Sequence, residues 1–280
     1  MDKEAIKKYY TETQFEYGLM WNWMLKTTPA LHFGYYDEKA TSHKQAILRA
    51  NEVLAEFGEI IQGSEIIDAG CGLGHSSEWL AQHFNAKVTG ITIVPKQVET
   101  IKKRLIKYPV ANVDFIVGDY LYMPFQDSSV DIVWAIESVC HAPDKLLFFK
   151  EAFRVLKPGG KVIMADIFRM GRPMSDSKET LLKEVFGGWA IPDIDTVEEH
   201  NDHATKAGFT SFKSKDVTDR MMVSYRNLRE ISKRYYSIGK FLHKAKIISA
   251  LRHNNMLSCL KQADAVEQGV FSYQHIVAQK

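Results

Sequence analysis

The chain has 280 residues, of which 45% are hydrophobic and 25% are charged, as in an ordinary globular protein. Its 36 basic and 34 acidic side chains leave a net charge of +2, which gives no overall field that would favour nucleic acid. Three scattered cysteines exclude a disulfide framework and a zinc site, so we expect a reducing, cytoplasmic location. The charged first four residues do not resemble a signal peptide, and no apolar run reaches the roughly 20 residues of a membrane span.

Residues 1–58 are predicted to form an N-terminal helical cap, with helices over 5–10, 17–26 and 42–57. Most of its rings are expected to cover the core of the next domain. Their density also suits the wall of an apolar substrate pocket or a lid. The rings before residue 37 are Tyr9, Tyr10, Phe15, Tyr17, Trp21, Trp23, Phe33, Tyr35 and Tyr36.

Residues 59–168 are predicted to form the core domain, in which apolar strands alternate with helices. Continuous apolar strands in such an alternation predict a parallel sheet that is covered by helices on both faces. The predicted strands are 65–68, 87–91, 113–117, 130–136 and 161–167. The predicted helices cover 76–84, a segment opened by Pro95, and 144–156.

Residues 169–280 are predicted to combine a helical insertion over the substrate side with the last strands of the sheet. Proline and glycine pairs interrupt the first part of this region and leave a short helix over 179–186. The later helices are predicted at 196–207, 221–246 and 255–269, and the strands at 212–217 and 271–278.

The stretch Ile-Ile-Asp-Ala-Gly-Cys-Gly-Leu-Gly at 66–74 is typical of a buried strand, a glycine turn and a helix that begins near Ser76. Glycine lets the backbone turn tightly and lets a ligand approach it closely. The pattern therefore favours a nucleotide-like ligand at a helix N-terminus, with an ordinary glycine turn as the alternative. His75 stands where a dinucleotide fingerprint would continue, which disfavours a nicotinamide oxidoreductase.

The segment 68–74 resembles the first motif of the Rossmann-like, class I S-adenosylmethionine (SAM) methyltransferases. Gly118-Asp119, the strand 131–135 and the segment 154–160 are similar to the later landmarks of that family. Leu-His-Phe-Gly-Tyr-Tyr at 31–36 resembles a segment of the tocopherol and sterol methyltransferases. The resemblance implies an α/β fold with a seven-stranded, mostly parallel, doubly wound sheet whose last strand is antiparallel, and it implies SAM as the cofactor.

The resemblance also implies which residues hold SAM. The glycine turn would pass under the methionine part, and Thr92 with Gln97 would take the ribose hydroxyls where the family usually has an acid. The missing acid also counts against NAD. Asp119 would accept the adenine amino hydrogen, beside Tyr120. The implied cofactor-binding residues are Asp68, Gly70, Cys71, Gly72, Thr92, Gln97, Asp119, Tyr120 and Ile136.

Glu137 and His141 follow the fourth predicted strand, at the end of a parallel sheet where substrates bind. A carboxylate and an imidazole there form a plausible acid/base or metal-binding pair. The segment 136–143 resembles that of the sterol and geranyl diphosphate C-methyltransferases. The resemblance implies that Glu137 is the base or the cation stabiliser, and that His141 orients it, binds substrate or helps to hold a metal. A histidine that only hydrogen-bonds the loop is the alternative.

Aromatic faces attract a carbocation, so we expect some rings to line the substrate pocket. The candidates are Tyr17, Trp21, Tyr35, Phe168 and Trp189. Arg226, on the basic helix predicted over 221–246, is the candidate for binding a diphosphate. A solvated helix face and attraction to an anionic membrane are the alternatives for that helix. No metal site is predicted, and Mg²⁺ is expected only if the acceptor is a diphosphate.

These features favour a SAM-dependent methyltransferase that acts on a small, largely apolar molecule and not on nucleic acid. C-methylation of an isoprenoid, namely a prenyl diphosphate, a sterol or a prenylated quinol, is the leading interpretation. O- or N-methylation of a natural product such as a phenol, alkaloid or polyketide is the alternative within the class. A non-catalytic SAM-binding module is the alternative outside it. The oligomeric state stays open, with a homo-oligomer among the alternatives.

Overall fold

The computed structural model describes residues 3–17 and 30–280, with side chains described for 4–13 and 30–280. Its centre is a seven-stranded sheet in the order β3-β2-β1-β4-β5-β7-β6. Strands β1 to β5 run parallel, and β7 runs antiparallel to both of its neighbours, β5 and β6. The strands are β1 (Glu65–Ala69), β2 (Lys87–Thr92), β3 (Val113–Val117), β4 (Val130–Ile136), β5 (Leu156–Arg169), β6 (Ser211–Asp216) and β7 (Phe271–Gln279).

Helices cover both faces of this sheet and its carboxyl edge. In the described part of the chain they are α1 (Lys3–Tyr17), α2 (His43–Gly58), α3 (His75–Phe84), α4 (Pro95–Lys107), α5 (Lys145–Val155), α6 (Asp176–Gly187), α7 (Val197–Ala207), α8 (Thr218–Lys244) and α9 (Ala250–Glu267). None of these described helices is both long and apolar enough to cross a membrane.

The alternation of side chains along the strands explains why the sheet needs cover on both faces. In β1 and β4, Ile66 and Trp134 are buried in the core cluster on one face. Ile67 and Val133 are buried in the cluster on the other face. The predicted fold class, an α/β doubly wound sheet with an antiparallel last strand and an N-terminal helical segment, is confirmed.

The element boundaries differ from the predictions mainly in three places. Strand β5 begins at Leu156, because Leu156 pairs with Val130 before a register shift and Lys161 then pairs with Ile132. Helices α8 and α9 begin earlier than predicted, at Thr218 and Ala250. The helix predicted over 5–10 extends over Lys3–Tyr17 as α1. The helix predicted over 17–26 lies outside the described residues, apart from residue 17.

Three later helices close over the carboxyl edge of the sheet. Helix α6 packs closely on α9: a Cβ added to Gly188, directly after α6, would lie 2.1 Å from the Ser258 hydroxyl oxygen. Gly239 of α8 similarly lies against Met256 of α9. Helix α1 joins this group through the Tyr9 hydroxyl, which donates to the side-chain Oδ1 of Asn255 on α9 at 2.9 Å. Residues of α1, α8 and α9 thereby enclose a space over the ends of β4 and β5.

Candidate active site

The glycine turn after β1 is pressed against the loop after β4. Gly70 has a φ of 89°, and a Cβ there would lie 2.4 Å from the Cβ of Ser138. The backbone N–H groups of Gly70 and Cys71 both donate to the Ile91 carbonyl at the end of β2, at 2.9 and 3.0 Å. The turn is thus fixed on both sides, and only glycine fits at position 70 without displacement.

Asp68 closes β1 and ties it to α3. Its Oδ2 accepts a hydrogen bond from the Ser77 hydroxyl at 2.5 Å, and burial raises the pKa of the carboxyl to about 7. The side chain also lines a cavity above the glycine turn. One carboxyl therefore ties the end of β1 to α3 and also lines the space for a ligand, where it was predicted to bind the cofactor.

Thr92 and Gln97 form a linked pair at the end of β2. The Thr92 hydroxyl donates to Gln97 Oε1 at 2.6 Å, and the Val94 N–H donates to the Thr92 oxygen at 3.2 Å. Both residues line the cavity over the glycine turn. After the neighbouring strand β3, Asp119 Oδ1 accepts from the Leu121 N–H at 2.9 Å, which holds the turn there.

The first cavity lies over the glycine turn and encloses about 970 Å³, including its open mouth. That size lies within the range of small-molecule sites. All nine residues predicted to bind the cofactor line it: Asp68, Gly70, Cys71, Gly72, Thr92, Gln97, Asp119, Tyr120 and Ile136. The structure therefore brings together the whole predicted set around one cavity.

A second cavity of about 710 Å³ lies beside the first, under α1, α8 and α9. Five residues line both cavities and form the wall between them: Tyr10, Leu31, His32, Glu137 and His141. The remaining lining is mostly apolar and aromatic, with a few polar groups. It consists of Tyr9, Phe33, Cys140, Asp166, Ile167, Trp189, Ile191, Leu228, Asn255 and Cys259.

Glu137 leaves β4 in a left-handed conformation with a φ of 48°, which is uncommon for a residue with a side chain. One of its oxygens, Oε1, accepts from the Phe33 N–H and from the Tyr273 hydroxyl, each at 2.8 Å. Burial raises the pKa of the carboxyl to about 8, although both hydrogen bonds oppose the change. Near neutral pH the carboxyl is mostly protonated, and a cation placed beside it would favour ionisation.

His141 is buried with both ring nitrogens engaged. Nδ1 lies 3.2 Å from the Ala190 carbonyl oxygen, and Nε2 lies 2.8 Å from the Tyr10 hydroxyl. A carbonyl only accepts, so Nδ1 carries the hydrogen and Nε2 accepts from Tyr10. Burial lowers the pKa of the imidazole to about 4, so the ring is neutral near pH 7.

These contacts narrow the alternatives for His141. Glu137 is held by hydrogen bonds from Phe33 and Tyr273, so these residues, and not His141, orient its carboxyl group. Among the described residues no group of three or more potential ligands is placed to hold a metal ion. His141 instead joins α1 to the loop after α6, directly over the shared wall.

The predicted substrate residues fall in different places. Trp189 lines the second cavity, as predicted. Phe168 requires a correction: it lies on the opposite face of the sheet, with its ring centroid 4.7 Å from that of His200. Side chains alternate along β5, so its neighbour Ile167 faces the cavity instead.

Two further substrate predictions also require correction. Tyr35 is buried beside His275, with ring centroids 6.2 Å apart, and lines neither cavity. Arg226 lies on the outside of α8, where its guanidinium donates to Glu267 at 2.9 Å. Tyr17 and Trp21 lie outside the described side chains.

Sequence reasoning missed Asp166 and Tyr273. Asp166 is buried near the end of β5 and lines the second cavity, where its Oδ2 accepts from the Cys140 N–H at 2.9 Å. An acidic residue inside the apolar strand predicted over 161–167 was the available signal. Tyr273 reaches Glu137 only because β7 inserts beside β5, which no local pattern reveals.

Comparison with known proteins places this site in a family. A methyltransferase domain family matches residues 67–164. The 27-O-demethylrifamycin SV methyltransferase of Amycolatopsis mediterranei is 31% identical over 71% of this chain and 74% of its own length. The cycloartenol-C-24-methyltransferase of Arabidopsis thaliana is 29% identical over 95% of this chain and 77% of its own length.

A solved structure shares the fold. The cyclopropane synthase MmaA2 of Mycobacterium tuberculosis superimposes with a TM-score of 0.82, covering 99% of this chain and 98% of its own, at 15% identity. That identity supports the fold alone. The glycine turn, the sheet order and the sequence relatives agree, and the chain belongs to the class I SAM-dependent methyltransferases.

Proposed function

We propose that this methyltransferase transfers the methyl group of SAM to a carbon atom of an uncharged isoprenoid, such as a sterol or a prenylated quinol. The observation that carries the proposal is the shared wall. Glu137 and His141 line both the cavity over the glycine turn and the second, apolar cavity. A methyl donor in the first cavity and an acceptor in the second would therefore meet beside a buried carboxyl group.

The first cavity fits SAM on its own residues. At Gly72 an added Cβ would come within 3.3 Å of Leu31, so a side chain there would narrow the space left for a ligand. The Thr92–Gln97 pair offers polar atoms to ribose hydroxyls, and the Asp119 carboxylate can accept from an amino group. SAM supplies an electrophilic methyl group on a sulfonium, and the protein has to bind, align and exclude water.

Glu137 supports the chemistry expected of an alkene acceptor. When the alkene carbon bonds to the methyl group, the carbon–sulfur bond breaks and a positive charge develops on the acceptor. Loss of a proton from a neighbouring carbon to the Glu137 carboxylate then restores the double bond. Burial raises the pKa of this carboxyl to about 8, and the positive sulfonium of SAM beside it would favour the ionised form, which can then accept the proton.

The walls of the second cavity suit an apolar molecule that becomes transiently positive. Phe33 and Trp189 present aromatic rings, and Ile167 and Leu228 present aliphatic side chains. The face of an aromatic ring attracts a cation electrostatically without removing a proton from it. Such a lining can stabilise the charge while keeping water out.

The charge of the lining favours an uncharged acceptor over a prenyl diphosphate. None of the described residues that line the second cavity is a lysine or an arginine, and two of them, Glu137 and Asp166, are acidic. Arg226, the predicted diphosphate ligand, pairs with Glu267 outside the cavity. We therefore infer a neutral acceptor and no requirement for Mg²⁺. The similarity to a cycloartenol-C-24-methyltransferase supports the same acceptor class.

O-methylation of a natural product is the second candidate, favoured by the similarity to a rifamycin-modifying methyltransferase over most of both chains. In that reaction the ionised Glu137 would take the proton of the acceptor hydroxyl. A hydroxyl acceptor and an alkene acceptor thus use the same carboxyl but yield products with different bonds.

Transfer of radiolabelled methyl from SAM to a panel of acceptors tests the proposal. The panel contains sterols, prenylated quinols, phenols and prenyl diphosphates, each with and without Mg²⁺. We expect label in a sterol or prenylated quinol, unaffected by chelation, and attached to carbon by NMR of the product. Label only in a phenol oxygen would favour the second candidate. Label that depends on Mg²⁺ and a diphosphate would contradict the charge argument.

Glu137→Gln separates catalysis from binding. We expect it to bind SAM in calorimetry but to lose at least about a hundredfold in turnover, the scale of general acid–base catalysis. Full turnover by Glu137→Gln would exclude the role as base. SAM binding by the wild type with no transfer to any acceptor would indicate a non-catalytic binding module.

A further inference from the structure

The hairpin formed by α8 and α9 carries an unusual concentration of positive charge. Between residues 231 and 263 the chain has seven basic residues and no acidic residue. Among the described residues, Arg234, Lys240, Lys244 and Lys246 form no ion pair, whereas Lys233 pairs with Glu230 just before this stretch. The free cations therefore collect at the far end of α8 and in the turn that follows.

Large apolar side chains are exposed at the same end of the hairpin. Ile238, Phe241 and Ile247 are 57%, 68% and 64% exposed, and Tyr235 is 37% exposed. Isolated exposed hydrophobic residues are ordinary on protein surfaces, whereas a cluster of them beside cations points to an interaction surface. We call this surface the hairpin tip, defined by Arg234, Tyr235, Ile238, Lys240, Phe241, Lys244, Lys246 and Ile247.

The helices that carry the hairpin tip also line the second cavity. Leu228 of α8 and Cys259 of α9 line that cavity, and the same two helices carry the tip at their other end. Phe241 lies thirteen positions after Leu228 in α8, a distance of roughly 20 Å along the helix. A molecule held at the tip would lie about that far from the cavity.

We propose that the hairpin tip docks the protein on an anionic lipid bilayer. Exposed aromatic and aliphatic side chains would enter the headgroup region, while the arginine and lysines would contact anionic headgroups. Charge complementarity decides the occupant: the four cations of the tip, which form no ion pair among the described residues, favour an anionic surface, and the exposed apolar side chains favour an apolar phase beside it. Docking would place the second cavity near an apolar acceptor dissolved in the bilayer, a step that rests on the proposed function.

Sedimentation with lipid vesicles tests docking without any acceptor, so its result is independent of the proposed function. We expect the wild type to sediment with vesicles of phosphatidylcholine and phosphatidylserine, and much less with phosphatidylcholine alone. Binding should weaken as salt is added, because salt screens exposed charges. Equal binding to both vesicle types, or none to either, would overturn the proposal.

Two double variants and a matched control locate the surface. Lys244→Glu with Lys246→Glu, and Phe241→Ser with Ile247→Ser, should each reduce partitioning to anionic vesicles by at least about tenfold. Lys103→Glu with Ile106→Ser changes an exposed lysine and an 85% exposed isoleucine on α4, and should leave partitioning unchanged. An equal loss in the α4 control would refute the assignment to the hairpin tip.

A last comparison separates lipid from nucleic acid. Binding of the protein to heparin or duplex DNA at an ionic strength where it no longer binds vesicles would mean that the cations serve a polyanion and not a bilayer. In that case the Phe241→Ser and Ile247→Ser changes should have no effect. Loss of vesicle binding in this apolar variant, with unchanged melting temperature, is the result that supports docking on a bilayer.

Discussion

Removal of the Tyr273 hydroxyl should raise the pH at which Glu137 ionises. That hydroxyl donates to Glu137 Oε1 at 2.8 Å and shares the oxygen with the Phe33 N–H. A hydrogen bond to a charged group contributes about 1.5–3 kcal/mol. One pKa unit corresponds to about 1.4 kcal/mol, so Tyr273→Phe should move the ionisation midpoint upward from about 8 by roughly one to two pH units.

Calorimetry with two ligands measures this midpoint without a known acceptor. SAM carries a positive sulfonium, whereas S-adenosylhomocysteine is neutral at the same sulfur. An ionised Glu137 attracts the sulfonium, so the preference for SAM over S-adenosylhomocysteine should grow as pH rises through about 8. In Tyr273→Phe this increase in the preference for SAM should occur at higher pH, and in Glu137→Gln the preference should not change with pH.

Tyr225→Phe is the matched control. Tyr225 is also a fully buried tyrosine, its ring lies 4.5 Å from that of Phe33, and its hydroxyl has no hydrogen-bond partner among the described residues. Its removal should leave the midpoint unchanged and should not lower stability, because an unsatisfied buried hydroxyl disappears. The same midpoint in wild type and Tyr273→Phe, or an equal movement in Tyr225→Phe, would refute the reasoning.

Three further predictions concern the same site. Gly70→Ala should lower the free energy of unfolding by about 1–2 kcal/mol through left-handed backbone strain, and further through the contact of the new Cβ with Ser138. The same variant should bind SAM weakly in calorimetry. Gly159→Ala is the control: its φ is similar and no atom lies near its Cβ, so it should lose only the strain energy. Asp119→Ala should weaken SAM binding at least about tenfold, as loss of a charged hydrogen bond would, and unchanged affinity would contradict the cofactor assignment. Between pH 4.5 and 8 the Glu137 carboxyl of the folded wild type keeps a proton that the unfolded chain has lost, so the stability of the wild type falls as pH rises. Glu137→Gln has no such group, and its melting temperature should therefore rise relative to that of the wild type across this range. A difference in melting temperature between the two proteins that stays constant from pH 4.5 to 8 would contradict the raised pKa.

The grouping of the predicted cofactor residues around the first cavity could be predicted from sequence because their geometry is local. Gly70 and Asp68 lie in one turn, and Thr92 lies five residues from Gln97. Parallel strands bring such turns to one edge of the sheet, so a motif at each strand end was enough to place nine lining residues. The family match over 67–164 spans the same strand ends.

The acceptor side could not be predicted in the same way, because its lining comes from distant segments. Tyr9, Leu228 and Cys259 meet around the second cavity although they lie on three helices outside the matched core. Phe168 was predicted and Ile167 was not, because a shift of one residue along a strand reverses the face. Composition suggested an aromatic pocket, but only the packing of α1, α8 and α9 selects which rings enter it.

Glu137 connects the two sides. It stands at the end of β4 within the matched core, yet its carboxyl is held by Phe33 from the segment before α2 and by Tyr273 from the last strand. Those partners lie 104 and 136 residues away in the chain, so the carboxyl is positioned only when both ends of the chain have packed onto the sheet. The left-handed turn at Glu137 aims the side chain toward those partners and away from β4. Changes at either end of the chain can therefore alter the protonation of the carboxyl and the shape of the second cavity. On this argument, variation at residues that line only the second cavity, such as Leu228 and Cys259, would alter the acceptor while leaving the first cavity intact.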